Sequence, residues 1–99
     1  SVSKAALNFY IKSISRELAK KNISINGILP GNIMFKGSTW EKKIKNDKTK
    51  TKKYIRENVP TNSFGNLDDI FNACLMISES SSYINGSLLK IDGSQTLSV

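Results

Sequence analysis

The chain has 99 residues, enough for one small domain or for part of a larger one. With 38% hydrophobic and 23% charged residues, six Gly and two Pro, it is neither collagen-like nor low-complexity, and no apolar run approaches the roughly 18 residues that cross a bilayer. It has no His and a single Cys, which excludes, within this chain, His-ligated zinc, Ser-His-Asp and Cys-His catalysis, paired-Cys redox chemistry and an internal disulfide.

No metal site is expected. No signal-peptide pattern opens the sequence, and a lone Cys suits a reducing compartment, so the expected location is cytoplasmic. The net charge of +7 is unevenly placed. Residues 36–56 hold nine of the 15 basic residues and two of the eight acidic ones, so this segment carries the whole excess. The rest is a neutral scaffold. Such a cationic excursion attracts phosphates, an acidic partner or nucleic acid, or is simply a solvated helical arm.

Residues 1–21 read as a helix, because Leu7, Ile11, Ile14 and Leu18 form one stripe. Val2, Ala6, Phe9 and Tyr10 widen that stripe, which predicts cover on two sides. Lys20 and Lys21 suit the helix C-terminus, and Asn22 suits a left-handed terminating position. Residues 23–29 read as a short β-branched strand ended by Pro30-Gly31. Residues 32–63 are irregular, with short exposed helices expected near 40–45 and 50–56; the Lys/Thr run at 48–53 has little to bury. Residues 66–79 read as a second helix, with Asn66 as N-cap and Asp68 and Asp69 in the first turn. Its apolar run predicts deep burial, with Cys74 as a core residue. Residues 83–91 read as a last extended segment, interrupted at Asn85-Gly86 and ended by the turn signal Asp92-Gly93.

A helix between two strands implies a parallel pair joined by a right-handed crossover. Two parallel strands do not make a stable sheet alone, and both helices are too apolar for so small a unit. The chain therefore reads as the back part of a larger α/β domain.

Four motifs occur in register: Ser3-Lys4-Ala5-Ala6-Leu7; Asn22 to Asn26 leading to Pro30-Gly31-Asn32-Ile33; Val59-Pro60 followed by Phe64 to Ile70; and Ser81 to Gly86 leading into Leu89 to Thr96. In this the chain resembles the C-terminal half of short-chain dehydrogenases/reductases, especially members like the 3-oxoacyl carrier-protein reductases. The resemblance implies the C-terminal part of a doubly wound Rossmann-type parallel sheet, with residues 1–99 belonging to one domain and 34–58 forming a substrate lid. It implies NAD or NADP as cofactor, and hydride transfer between nicotinamide and a carbonyl or secondary alcohol carbon of a small-molecule or carrier-linked substrate. Lys4 matches the family's catalytic lysine, which would also bond the nicotinamide ribose. Its tyrosine partner, four residues earlier, would fall directly before Ser1, and the catalytic serine and glycine-rich turn would lie further upstream. The piece alone is then expected to be inactive. Residues four apart share a helix face, and an ammonium there favours a neighbouring phenolate.

The resemblance also places Pro30, Gly31, Asn32 and Ile33 at the cofactor, with Pro30 against the nicotinamide ring and Ile33 offering backbone contacts to the carboxamide. Met34, Phe35 and Trp40 would begin the lid. Two positions depart from the pattern: Phe35 stands where many members have Thr, and Ser94 follows Asp92-Gly93 where many have a second Gly. A homodimer or homotetramer of the complete protein is implied, with no membrane contact. The alternatives are a small basic nucleic-acid-binding module, in which Trp40 and Tyr54 would stack on bases, or a non-catalytic truncated remnant. The chain carries no recognisable nucleic-acid motif.

Overall fold

In the computed structural model, which describes residues 2–97, the elements run α1 (Val2–Ala19), β1 (Gly27–Pro30), α2 (Thr39–Asn46), α3 (Lys48–Asn58), α4 (Leu67–Glu79) and β2 (Leu88–Ile91). The start expected for the first helix, Ser1, lies outside the described residues. β1 and β2 pair as a two-stranded sheet. The Gly27 amide donates to the Ser87 carbonyl at 2.8 Å and the Gly31 amide to the Ile91 carbonyl at 2.9 Å, an equal advance on both strands and hence a parallel ladder. No helix among the described residues is long and apolar enough to cross a membrane. The chain gathers into two compact units, Ser1–Ile28 with Ala73–Leu89, and Leu29–Asn72 with Lys90–Val99.

In the first unit, α1 ends where its sequence says it should. Asn22 takes a left-handed φ of 59°, its amide donates to the Ala19 carbonyl, and the Ile23 amide reaches back to the Leu18 carbonyl. These two bonds satisfy the helix's last carbonyls. Ile11, Ile14 and Leu18 are half-buried, whereas Leu7, Phe9 and Tyr10 are exposed. Ser15 is buried, its hydroxyl bonded to the Lys12 carbonyl at 2.7 Å. It faces Gly86, which has φ +70°; a methyl group there would stand 2.6 Å from the Ser15 Oγ. Glycine is required at this position on both counts.

The strand expected at 23–29 is shorter and begins later, at Gly27. Two asparagines explain the difference. The Ile25 amide donates to Asn85 Oδ1 at 3.0 Å, Asn26 Nδ2 donates to the Ile84 carbonyl at 3.2 Å, and Asn26 Oδ1 accepts from the Ser87 amide at 3.0 Å. Side-chain amides here take the bonds that a longer strand would have made with backbone.

The second unit holds the basic segment, and its helices are longer than expected. Ser38 caps α2 through the Glu41 amide at 3.1 Å. Asp47 both ends α2 and caps α3, accepting from the Lys50 amide at 3.0 Å. The Lys/Thr run does bury something: Thr51 is 6% exposed, and its hydroxyl lies 2.8 Å from the Asp47 carbonyl and 3.0 Å from that of Lys43. With Ile55 and Val59, the buried apolar residues among those described, it fixes the elbow between the two helices. Trp40 stacks on Tyr54 at 5.4 Å and lies 5.6 Å from Phe64, while the Lys43 ammonium sits 4.3 Å from its centroid.

α4 starts with a reciprocal cap. The Asp69 amide donates to Asn66 Oδ1 at 2.9 Å and the Asn66 amide to Asp69 Oδ2 at 2.8 Å. The expected deep burial does not hold. Leu67, Phe71, Leu75 and Met76 are exposed, and so is Cys74, which is therefore not a core residue here. A helix apolar on all sides needs two layers of cover, and the chain's own elements half-bury one face only, at Ile70, Ala73 and Ile77.

Thr51→Val keeps the shape and removes the elbow's hydroxyl donor. It is expected to lower unfolding free energy by about 1 kcal/mol, read by urea denaturation; an unchanged midpoint would show that the two carbonyls do not need the hydroxyl.

Candidate functional site

The carboxyl end of a parallel strand is where open α/β sheets bind ligands. Here that end is the turn Pro30-Gly31-Asn32-Ile33, in the second unit. Gly31 lies against the backbone of Asp92: a methyl group on it would stand 2.6 Å from Asp92 Cβ and 2.8 Å from Asp92 Cα. Any larger residue would force the two strand ends apart. Past the strand, Ile33 forms a parallel bridge with Gly65. The bridge runs through its neighbours, since the Gly65 amide donates to the Asn32 carbonyl at 3.0 Å and the Met34 amide to the Gly65 carbonyl at 2.8 Å. In a parallel bridge the central residue's own amide and carbonyl point to the opposite edge. Ile33 thus presents a donor and an acceptor side by side, and neither takes part in a backbone hydrogen bond among the described residues. This is the pattern that a planar primary amide complements.

The turn is walled by the segment after β2. The Asp92 carboxylate accepts from the Ser94 amide and the Thr96 amide, both at 3.1 Å. Desolvation pushes its carboxyl upward, but the Thr96 and Ser94 bonds and the Lys90 ammonium outweigh this and hold it below the usual aspartate value. Ser94, the departure from the common Gly, takes a left-handed φ of 69°. A cavity of about 730 Å³ opens beside the turn, with Asn32, Gly65, Asp69, Lys90, Asp92 and Thr96 among its walls. Its two carboxylates, Asp69 and Asp92, are already engaged with backbone amides. Helix capping thus accounts for Asp69, as the sequence suggested.

Met34, Phe35 and Trp40 follow directly. Phe35 is 43% exposed, Met34 is half-buried beside the Ser38 hydroxyl, and Trp40 is held between Tyr54, Phe64 and Lys43. Trp40 and Tyr54, which a nucleic-acid reading would use to stack on bases, stack on each other. The Gly37 amide, 3.1 Å from Glu41 Oε1, holds that carboxyl below its ordinary range; desolvation opposes the shift and Lys45 adds to it. Lys4 belongs to the first unit, exposed in the first turn of α1. The sequence signals singled out the turn and Lys4. They missed Gln95, whose side chain accepts from Asn32 Nδ2 at 3.0 Å across 63 positions of sequence, because no local pattern announces so distant a partner.

The model of the family described as enoyl-(acyl carrier protein) reductase matches residues 1–96. The chain belongs to the short-chain dehydrogenase/reductase family. It is 36% identical over 98 residues to the 7alpha-hydroxysteroid dehydrogenase of Paraclostridium sordellii, covering 97% of this chain and 35% of that protein. It is 32% identical over 94 residues to a 3-oxoacyl-[acyl-carrier-protein] reductase of Aquifex aeolicus, covering 94% and 36%. The chain thus spans about a third of the length of these curated relatives. Among solved structures it is similar to a 4-hydroxyisoleucine dehydrogenase complexed with NADH, with a TM-score of 0.82 and 29% identity over 99% of this chain and 39% of that one. An L-sorbose reductase from Gluconobacter frateurii, complexed with NADPH and L-sorbose, gives a TM-score of 0.82 at 28% identity, covering 99% and 40%. The α/β arrangement is accordingly a part of the Rossmann-type fold of the short-chain dehydrogenases/reductases.

Asp92 gives a pH signature. A carboxyl lowered in the folded state contributes stability that is present above its unfolded value and lost as pH falls through the folded one. Asp92→Asn is therefore expected to be less stable than the parent at neutral pH, with the gap closing in acid, measured by thermal unfolding at both pH values. A gap that stays constant would contradict the role of the charge.

Proposed function

We propose that the complete protein is an NAD(P)-dependent oxidoreductase acting on a carbonyl or secondary alcohol, and that this chain supplies its nicotinamide-side residues. The observation that carries the reading is the paired donor and acceptor of Ile33 at the end of β1, which fits a nicotinamide carboxamide. The exposed Pro30 beside it offers an apolar ring face, and Gly31 and Asn32 hold the turn. NAD or NADP, when bound, supplies the hydride chemistry. The NADH and NADPH in the similar structures support this cofactor class without separating the two.

Lys4 is the catalytic residue of this chain in the proposed reading. Its ammonium bonds the ribose hydroxyls and favours the ionised form of a tyrosine one helical turn ahead of it, so that a proton moves near neutral pH. Residues 34–58 form the lid in this proposal, with Met34 and Phe35 as adaptable apolar contacts to a small substrate and Trp40, stacked on Tyr54 within the lid, as the anchor that holds it to Phe64. An oligomer of the complete protein in a cytoplasmic setting belongs to the same proposal.

The test is Lys4→Met in the full-length protein, assayed by NAD(P)H absorbance with a panel of ketones and secondary alcohols. Turnover is expected to fall on the order of 100-fold or more while the fold is retained by circular dichroism. Parent-like turnover of the variant would overturn the role of Lys4, and failure of the unmutated protein to bind NADH or NADPH would overturn the cofactor reading.

A further inference from the structure

The turn that carries Ile33 is fixed on one side by backbone and on the other by a side-chain pair. Asn32 is the pivot. Its carbonyl and the Ile33 amide belong to one rigid peptide plane, so whatever fixes Asn32 aims the Ile33 N–H. The Gly65 amide holds the carbonyl at 3.0 Å. The Asn32 side chain donates to Gln95 Oε1, also at 3.0 Å, and both residues are half-buried.

Gln95 is itself held. Its amide donates to the Asp92 carbonyl at 3.1 Å, the Asp92 carboxylate gathers the amides on either side of it, Ser94 and Thr96, and the Lys90 ammonium closes the loop on the Thr96 carbonyl at 2.8 Å. A residue so tightly bracketed loses little further freedom in holding Asn32.

We propose that Gln95 is a positioning residue for the nicotinamide end of the cofactor: through Asn32 it aims the Ile33 amide, without touching the ligand itself. The inference rests on the cofactor reading above and adds a residue from the far end of the chain to it. A loosened turn costs binding only for ligands that carry the carboxamide. ADP-ribose, or its 2′-phosphate, lacks nicotinamide and reports the remainder of the binding site.

The experiment uses the full-length protein and fluorescence titration with NADH, NADPH and the ADP-ribose matching whichever nucleotide binds. Gln95→Met keeps the length and removes the acceptor; Gln95→Glu keeps an acceptor. Q95M is expected to weaken reduced-nucleotide binding about three- to tenfold, the worth of one hydrogen bond, and to leave ADP-ribose binding unchanged. Q95E is expected to restore binding to within about twofold of the parent. Gln95→Ser gives the same comparison if Q95M does not fold. Parent-like binding of reduced nucleotide by the acceptor-deleted variant would overturn the proposal. Equal weakening of both ligands would also overturn it, by assigning Gln95 a general structural role. Binding of neither reduced nucleotide by the unmutated protein would instead overturn the underlying cofactor reading.

Discussion

A parallel hydrogen-bond ladder joins the two strands, with the Gly27 amide on the Ser87 carbonyl and the Gly31 amide on the Ile91 carbonyl, and the same parallel pattern reappears at Ile33 and Gly65. This ladder brings the Gly31 turn against Asp92, and it decides which edge each peptide group faces. At Ile33 the neighbouring residues make the bonds to Gly65, which leaves the Ile33 amide and carbonyl for the other edge. A cofactor contact made through backbone needs no particular side chain. What it needs is a strand end held in the correct plane, and Gly31 permits the close approach that holds it.

The basic segment is organised differently. α3 begins with Lys48 and Lys50 and no acidic residue in its first turn, although that end of a helix favours negative charge. Lys48, Lys52 and Arg56 repeat at four-residue spacing, which sets like charges side by side. These local costs are offset by the Asp47 cap, the Thr51 hydroxyl, the burial of Ile55 and Val59, and the Trp40–Tyr54 stack. The paired helices are therefore held by their inner faces, and the lysines occupy what remains. That arrangement suits a segment anchored at Trp40 whose outer surface is free to carry charge.

Much of this was legible in the sequence, for reasons that differ by element. Asn22 and the Asn66/Asp69 pair act on backbone groups within a few positions, so their roles are local and readable. The Pro30-Gly31 stop and the Asp92-Gly93 turn are likewise local. The late start of β1 was not readable, because Asn26 and Asn85 compete with the ladder from 58 to 61 positions apart. Thr51 was misjudged because a threonine among lysines resembles a solvated run until the helix before it bends back. Cys74 was misjudged because apolar periodicity reports what a face requires, not what this chain places over it.

The central claim is that the backbone of Ile33 meets a nicotinamide carboxamide. The direct measurement is the amide chemical shift of Ile33 in the isotope-labelled full-length protein during titration with NADH or NADPH and, separately, with the corresponding ADP-ribose. The account predicts a large shift with the reduced nucleotide and little with ADP-ribose. An Ile33 resonance that stays in place while the reduced nucleotide saturates the protein would contradict it.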